Sequence, residues 1–308
     1  MADEPELIPG SEDNLKEMFG PRVDTSSIKS ETDINKLDAL IFELYKEAMR
    51  VLSVVSHLLD ESDAARNGFS RNQAICSGLI IRIVKFMLAV AELSHGGERG
   101  EVVQALSRSI MESAINLEFL VSTNEEKYFN QFVEFSLGPE RDLFDRIEAN
   151  IAARNGEVWP IEQRMLDSIN NLCSHSGMKI ENVDRKPRNW GGNLKERLKV
   201  LGKEHQYVMI QRIPSHAVHG SWVDLFMHHL KKGAEPNVFA PNPKWSGVDA
   251  RLFGPIAMLV LDGTKPYVGR FFSSIPESQT ILERIDDLQN RIVDVGHAHE
   301  KLFNSAEQ

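Results

Sequence analysis

Apolar residues recur at steps of three and four along most of this chain, the spacing that lays a stripe down one side of an α-helix. In DINKLDALIFELYKEAMRVLSVVSHLLDES the stripe is Leu37, Leu40, Ile41, Leu44, Met49, Leu52, Val55 and Leu59. A second stripe, Ile75, Leu79, Ile83, Phe86, Met87 and Val90, follows SRNQ. There Ser70 is placed to cap the helix and Gln73 to complete a capping box. SHGGERG then breaks the pattern at Gly96, Gly97 and Gly100. A third stripe carries Val103, Leu106, Ile110, Ala114, Leu117 and Val121. Thr123 and Glu126 read as a capping box for a fourth helix through Tyr128, Phe132 and Phe135.

Less regular periodicity predicts further helices over 139–155, 159–176, 193–202, 204–232, 249–272 and 277–304. KKGAEPNVFAPNPKWSG, with three prolines and two glycines, predicts a long loop at about 231–248. Alternating strand patterns are nearly absent and no repeat of fixed period stands out. The expectation is an all-α fold, a single multi-helix bundle over 31–308. The acidic, Pro-, Gly- and Ser-rich residues 1–30 are expected to be flexible or loosely docked.

Composition narrows the function classes. The chain has 308 residues, 42% of them apolar and 26% charged, as in ordinary globular domains. Its net charge of −10 argues against broad, non-specific binding to nucleic acid but leaves room for a local basic site. Cys76 and Cys173 both sit in apolar helical patterns, so a disulfide framework is not expected and a reducing, cytoplasmic setting is. The N-terminal residues carry no apolar segment of a secretory kind. Arg82 and Lys85 interrupt the most hydrophobic run, residues 77–93, which reads as a buried helix rather than a membrane span.

Candidate chemistry concentrates in QRIPSHAVHGSW. On a continuous helix Arg212, Ser215, His216 and His219 would share one face over two turns. Pro214 predicts a kink, or a new helix starting there, because its ring displaces the carbonyl four residues back. Arg108 and Glu112 form an i, i+4 pair beside an apolar stripe, placed either to face water or to orient groups on a neighbouring helix. RKPRNWGGNLKERLKVLGKEHQYV sets Trp190 and a glycine turn among Lys186, Arg188, Lys195, Arg197 and Lys199. That stretch is either a charged helix face with a packed Trp or a rim that contacts phosphate. No metal site is expected: His216, His219, His228, His229 and Asp224 cluster without a recognised ligand spacing. No cofactor is expected either, since phosphate-binding glycine loops and the Gly-x-Ser-x-Gly elbow are missing.

Taken in order, the Arg108-x-x-x-Glu112 helix, NWGGNLKERLKVLG, Tyr207 and QRIPSHAVHGSW resemble the proteins grouped as domain of unknown function 5677. The resemblance covers roughly residues 35–230. Arg212, Ser215, His219 and Gly220 match the family's closing segment; Gln211 stands where the family often has Tyr. A looser similarity is to HEPN-type helical ribonucleases, whose Arg-x(4–6)-His range includes the Arg212 to His219 spacing. Those proteins cleave RNA without metal, often at a dimer interface. The resemblance implies His219 as general acid or base and Arg212 as the phosphate holder. It implies that Glu112 and Arg108 orient them, and Ser215, His216, Tyr207 and Trp190 are added as candidate binding residues.

Three readings follow. In the first the chain is a metal-independent HEPN-like ribonuclease with a toxin or phage-defence role, acting on RNA, with a homodimer through a face of the helix at 35–60 as its candidate assembly. In the second it is a non-enzymatic binding or scaffold protein, whose Arg, Glu and His residues form a buried network that fixes helix packing. In the third Trp190, Tyr207 and Trp222 line a small-molecule pocket between helices.

Overall fold

The computed structural model describes residues 17–57, 68–186, 190–273, 275 and 277–306. Residues 1–16, more than half of the expected flexible segment, fall outside this set, as do Leu59 and Arg188. The described chain is all-α apart from one small hairpin. It divides into two compact units, residues 123–204 and the remainder.

In the larger unit, the expected stripes become helices. Helix α1 (Ile34–His57) buries Leu44, Tyr45, Ala48, Val51, Leu52 and Val55 completely. Helix α2 (Arg71–Ser94) starts with the expected Ser70–Gln73 capping box. It is long and apolar enough to cross a membrane by composition; here Ile80, Ile83, Met87 and Val90 are buried, while Ile81 and Leu88 face outward. The Tyr45 hydroxyl donates to the Met87 carbonyl at 3.1 Å, tying α1 to α2. Helix α3 (Gly100–Thr123) follows the glycine break. Arg82 of α2 donates to Ser113 of α3 at 3.2 Å, so a residue that interrupts the apolar run links two helices.

Residues 123–204 hold α4 (Glu126–Ser136), α5 (Gly138–Ala153), α6 (Pro160–His175) and α7 (Leu194–Val200). Thr123 stands three residues before Glu126, the first residue of α4. Asn124 takes a left-handed φ of 49°, and the helix begins after Glu125 with no side-chain cap. In this unit Trp190 stands edge-on to Phe132 at 5.0 Å between centroids. The Arg197 guanidinium lies 4.1 Å from the Trp190 ring centroid and donates to the carbonyls of Trp190 and Gly192.

The larger unit resumes with the most irregular stretch. The single helix expected over 204–232 is replaced by a π turn (Val208–Arg212), a short helix α8 (Ser215–His219), a helical stretch (Trp222–Asp224) and a second π turn (Leu225–His229). The expected loop contains an antiparallel hairpin, β1 (Leu230–Lys232) and β2 (Phe239–Pro241). Helices α9 (Phe253–Phe271) and α10 (Glu277–Ala306) complete the core. A side chain on Gly263 would meet the Ala114 carbonyl at 3.0 Å, so glycine lets α9 lie close against α3.

Within residues 17–30 a few contacts reach the core, although most of the segment is exposed. Phe19 and Ile28 are buried, and the Val23 N–H donates to the Glu47 carboxylate at 2.9 Å. Glu47 is fully enclosed on α1. Arg291 of α10 grips both its oxygens, at 2.6 and 2.8 Å, and Arg284 adds a contact at 2.9 Å. Burial alone would raise the Glu47 pKa; the hydrogen bonds from Arg291 and Val23 and the two positive charges outweigh it and hold the carboxyl below its ordinary range.

Candidate functional site

The site region lies where α3 meets residues 207–249. At the start of α3, Gly100 has no room for a side chain: a Cβ would sit 2.2 Å from the Gly247 carbonyl oxygen. Three backbone donors fasten residues 246–248 to this end of α3. Gly100 N–H reaches Ser246 O at 3.0 Å, Val248 N–H reaches Gly97 O at 2.9 Å, and Ser246 N–H reaches Glu101 Oε1 at 3.0 Å. Burial would raise the Glu101 pKa, but backbone N–H groups, the Ser246 hydroxyl and the nearby His228 charge bring it below the usual carboxylate range.

Pro214 shapes the other side of the site. It has no N–H to give the turn before it, and that turn widens: Ile213 N–H bonds to Val208 O at 3.0 Å, five residues back. The helix resumes at Ser215, whose hydroxyl donates to Gln211 O. It stops at Gly220, which takes the left-handed φ of 55°. The helix is therefore interrupted at Ile213 and Pro214, where the proline predicts a kink or a restart, and Arg212 does not share one continuous helix with Ser215, His216 and His219.

Across this junction, Arg108 Nη1 stands 3.3 Å from His219 Nε2, joining residues 111 positions apart. A guanidinium has only donors, so a hydrogen bond here requires His219 Nε2 as the acceptor. The pair is exposed, although Arg108 Nε is buried without a partner. Glu112, one turn further along α3, is half-buried and forms no hydrogen bond or ion pair with a described residue. Arg212 is exposed and likewise unpaired among the described residues.

The other candidates are placed as follows. Tyr207 is half-buried at the start of the first π turn. The His216 ring Nδ1 lies 2.7 Å from Ser221 Oγ. Trp190 belongs to the other compact unit, where its partners are Phe132 and Arg197. Trp222 packs on the hairpin, 5.4 Å from the Phe239 ring and 5.9 Å from Phe226, and is 58% exposed. Among the described residues no three His, Cys, Asp or Glu side chains stand together as a metal site. Two pairings were missed in the sequence: His228 Nδ1 with Ser246 Oγ at 2.7 Å, and Glu101 with Ser246. They span 18 and 145 residues, and no local pattern announces them.

The profile of a family of unknown function, DUF5677, matches residues 73–236, a span that takes in α2, α3, the unit at 123–204 and the irregular stretch through Arg212 and His219. The chain belongs to that family. Its matched region ends just inside the hairpin and excludes α1, α9 and α10, so the helices that enclose Glu47 lie outside the match while the Arg108–His219 pair lies within it. No curated protein and no solved structure matches the chain.

Proposed function

We propose that the chain is a metal-independent, HEPN-like ribonuclease with a role in toxin action or phage defence, and that Arg108 and His219 are the centre of its active site. The observation that carries this reading is the 3.3 Å contact between Arg108 and His219 at an exposed surface, with Arg212 free on the adjoining turn. His219 Nε2 is unprotonated in that contact, the state a general base needs. It takes the proton of an RNA 2′-hydroxyl as that oxygen attacks phosphorus. The new P–O2′ bond forms, the P–O5′ bond breaks, and the leaving oxygen is protonated by water. A phosphate oxygen is a stronger acceptor for a guanidinium than a neutral imidazole. Arg108 therefore turns to the phosphate when RNA binds, and Arg212 supplies a second cation for the developing charge.

The test is cleavage of a single-stranded RNA in EDTA by the full chain and by His219→Ala. The expected result is cleavage by the wild type that falls at least about a hundredfold in the variant. Equal cleavage by both, or none by either, contradicts the reading.

A second reading, a protein-binding surface, is favoured by a separate observation. Met209, Trp222 and Met227 are 63%, 58% and 63% exposed within one short stretch. Large apolar side chains left this exposed mark contact sites where they adjoin. The occupant we propose is a second copy of the chain. In α1 the apolar stripe from Leu37 to Val55 is largely enclosed. Sedimentation of wild type and Trp222→Lys decides this: a dimer that the substitution dissociates supports it, and a monomeric wild type overturns it.

A further inference from the structure

A cavity of about 290 Å3 opens between the start of α3, residues 213–228 and residues 247–252. Its apolar walls are Ile213, Val223, Met227 and Leu252. Its polar wall carries Asp224, Asp249, His216 and His228, and among the described lining residues there is no Lys or Arg. Asp249 is already forked by Arg251 through two contacts of 2.9 Å. Asp224 is not. It is only 6% exposed, and its nearest cationic group is His229 Nε2 at 3.5 Å, on a ring that is 46% exposed and charged only when protonated.

A buried carboxylate without a permanent cation is costly unless something compensates it. Glu101, the chain neighbour of the lining residue Gly100, has a buried Oε2 with no partner. The two histidines of this wall each place Nδ1 2.7 Å from a serine hydroxyl, His216 on Ser221 and His228 on Ser246. A cavity of about 150 Å3 holds a benzene ring, so this one has room for a ring or short chain bearing one cationic group.

We infer that this cavity binds a small primary amine, its ammonium on the Asp224 carboxylate and its apolar body against Ile213, Val223, Met227 and Leu252. This does not rest on the ribonuclease reading. The cavity adjoins the Arg108–His219 pair without including it: Gln104 and His216 line it, each one helical turn before a member of that pair.

The experiment is titration calorimetry on the full chain at pH 8, where unperturbed imidazoles are neutral, with benzylamine, benzyl alcohol and benzoate. Benzylamine is expected to bind, and the alcohol and the acid to bind at least about tenfold more weakly. Asp224→Asn, close in shape, is expected to weaken benzylamine by at least about tenfold and leave benzyl alcohol unchanged. Should Asp224→Asn lose its fold by circular dichroism, Val223→Trp serves in its place. Val223 is 46% exposed, so the larger ring is tolerated, fills the cavity and blocks benzylamine. Benzoate binding as tightly as benzylamine, no binding of benzylamine to the wild type, or undiminished binding to either folded variant overturns the inference.

Discussion

Glu47 and His219 each meet an arginine from a distant part of the chain, and there the likeness ends. Glu47 is sealed between α1, α10 and the N-terminal residues. Both its oxygens are taken, by Arg291, Arg284 and the Val23 N–H. His219 stands in the open with one long contact, and Arg212 and Glu112 wait nearby without partners. In the first cluster the carboxylate is fully paired, and Arg284 Nε, which has no partner, is buried out of reach of a ligand. The second has donors and an acceptor to spare. A charged network that is enclosed fixes packing, whereas an incomplete one at the surface is free to bind.

The largest way to test that contrast is at Glu47. Glu47→Gln leaves the buried Arg284 without its carboxylate and Arg291 with Asp287 alone, and should cost about 3 kcal/mol of stability in urea unfolding at pH 7. A loss no greater than that of a surface substitution would make the two clusters equivalent. A smaller effect of the same origin appears with pH. The Glu47 carboxyl is held below its ordinary 4.5, so its stabilisation is complete above that value and disappears as pH falls through the lowered one. Wild-type stability should therefore drop below about pH 4.5 more steeply than that of Glu47→Gln, and parallel curves would contradict this.

What was legible in the sequence follows the same division. Local period and local capping reported α1, α2 and α3 well, because their stripes and the Ser70–Gln73 box depend only on neighbours. Glu47 carried a readable signal: it falls on the buried side of α1, beside Leu44 and Ala48. Its partners did not, since Arg284 and Arg291 lie more than two hundred positions away. The stretch 204–232 was too regular in expectation because Pro214 and Gly220 each end a helical segment and the turns between them widen. Among the basic residues around Trp190, Arg197 is no phosphate rim; its guanidinium is buried on the indole. The candidate residues were picked by their types and spacing. That Arg108 reaches His219 was not, because the helices that bring them together are set by the core.

The most direct measurement is the melting temperature of Arg108→Ala beside that of Glu47→Gln. An exposed pair contributes little to folding, so Arg108→Ala should shift the transition by less than about 3 °C while Glu47→Gln shifts it several times further. A drop for Arg108→Ala as large as that for Glu47→Gln would mean that the edge cluster holds the fold together, and the distinction between an open site and a closed core would fail.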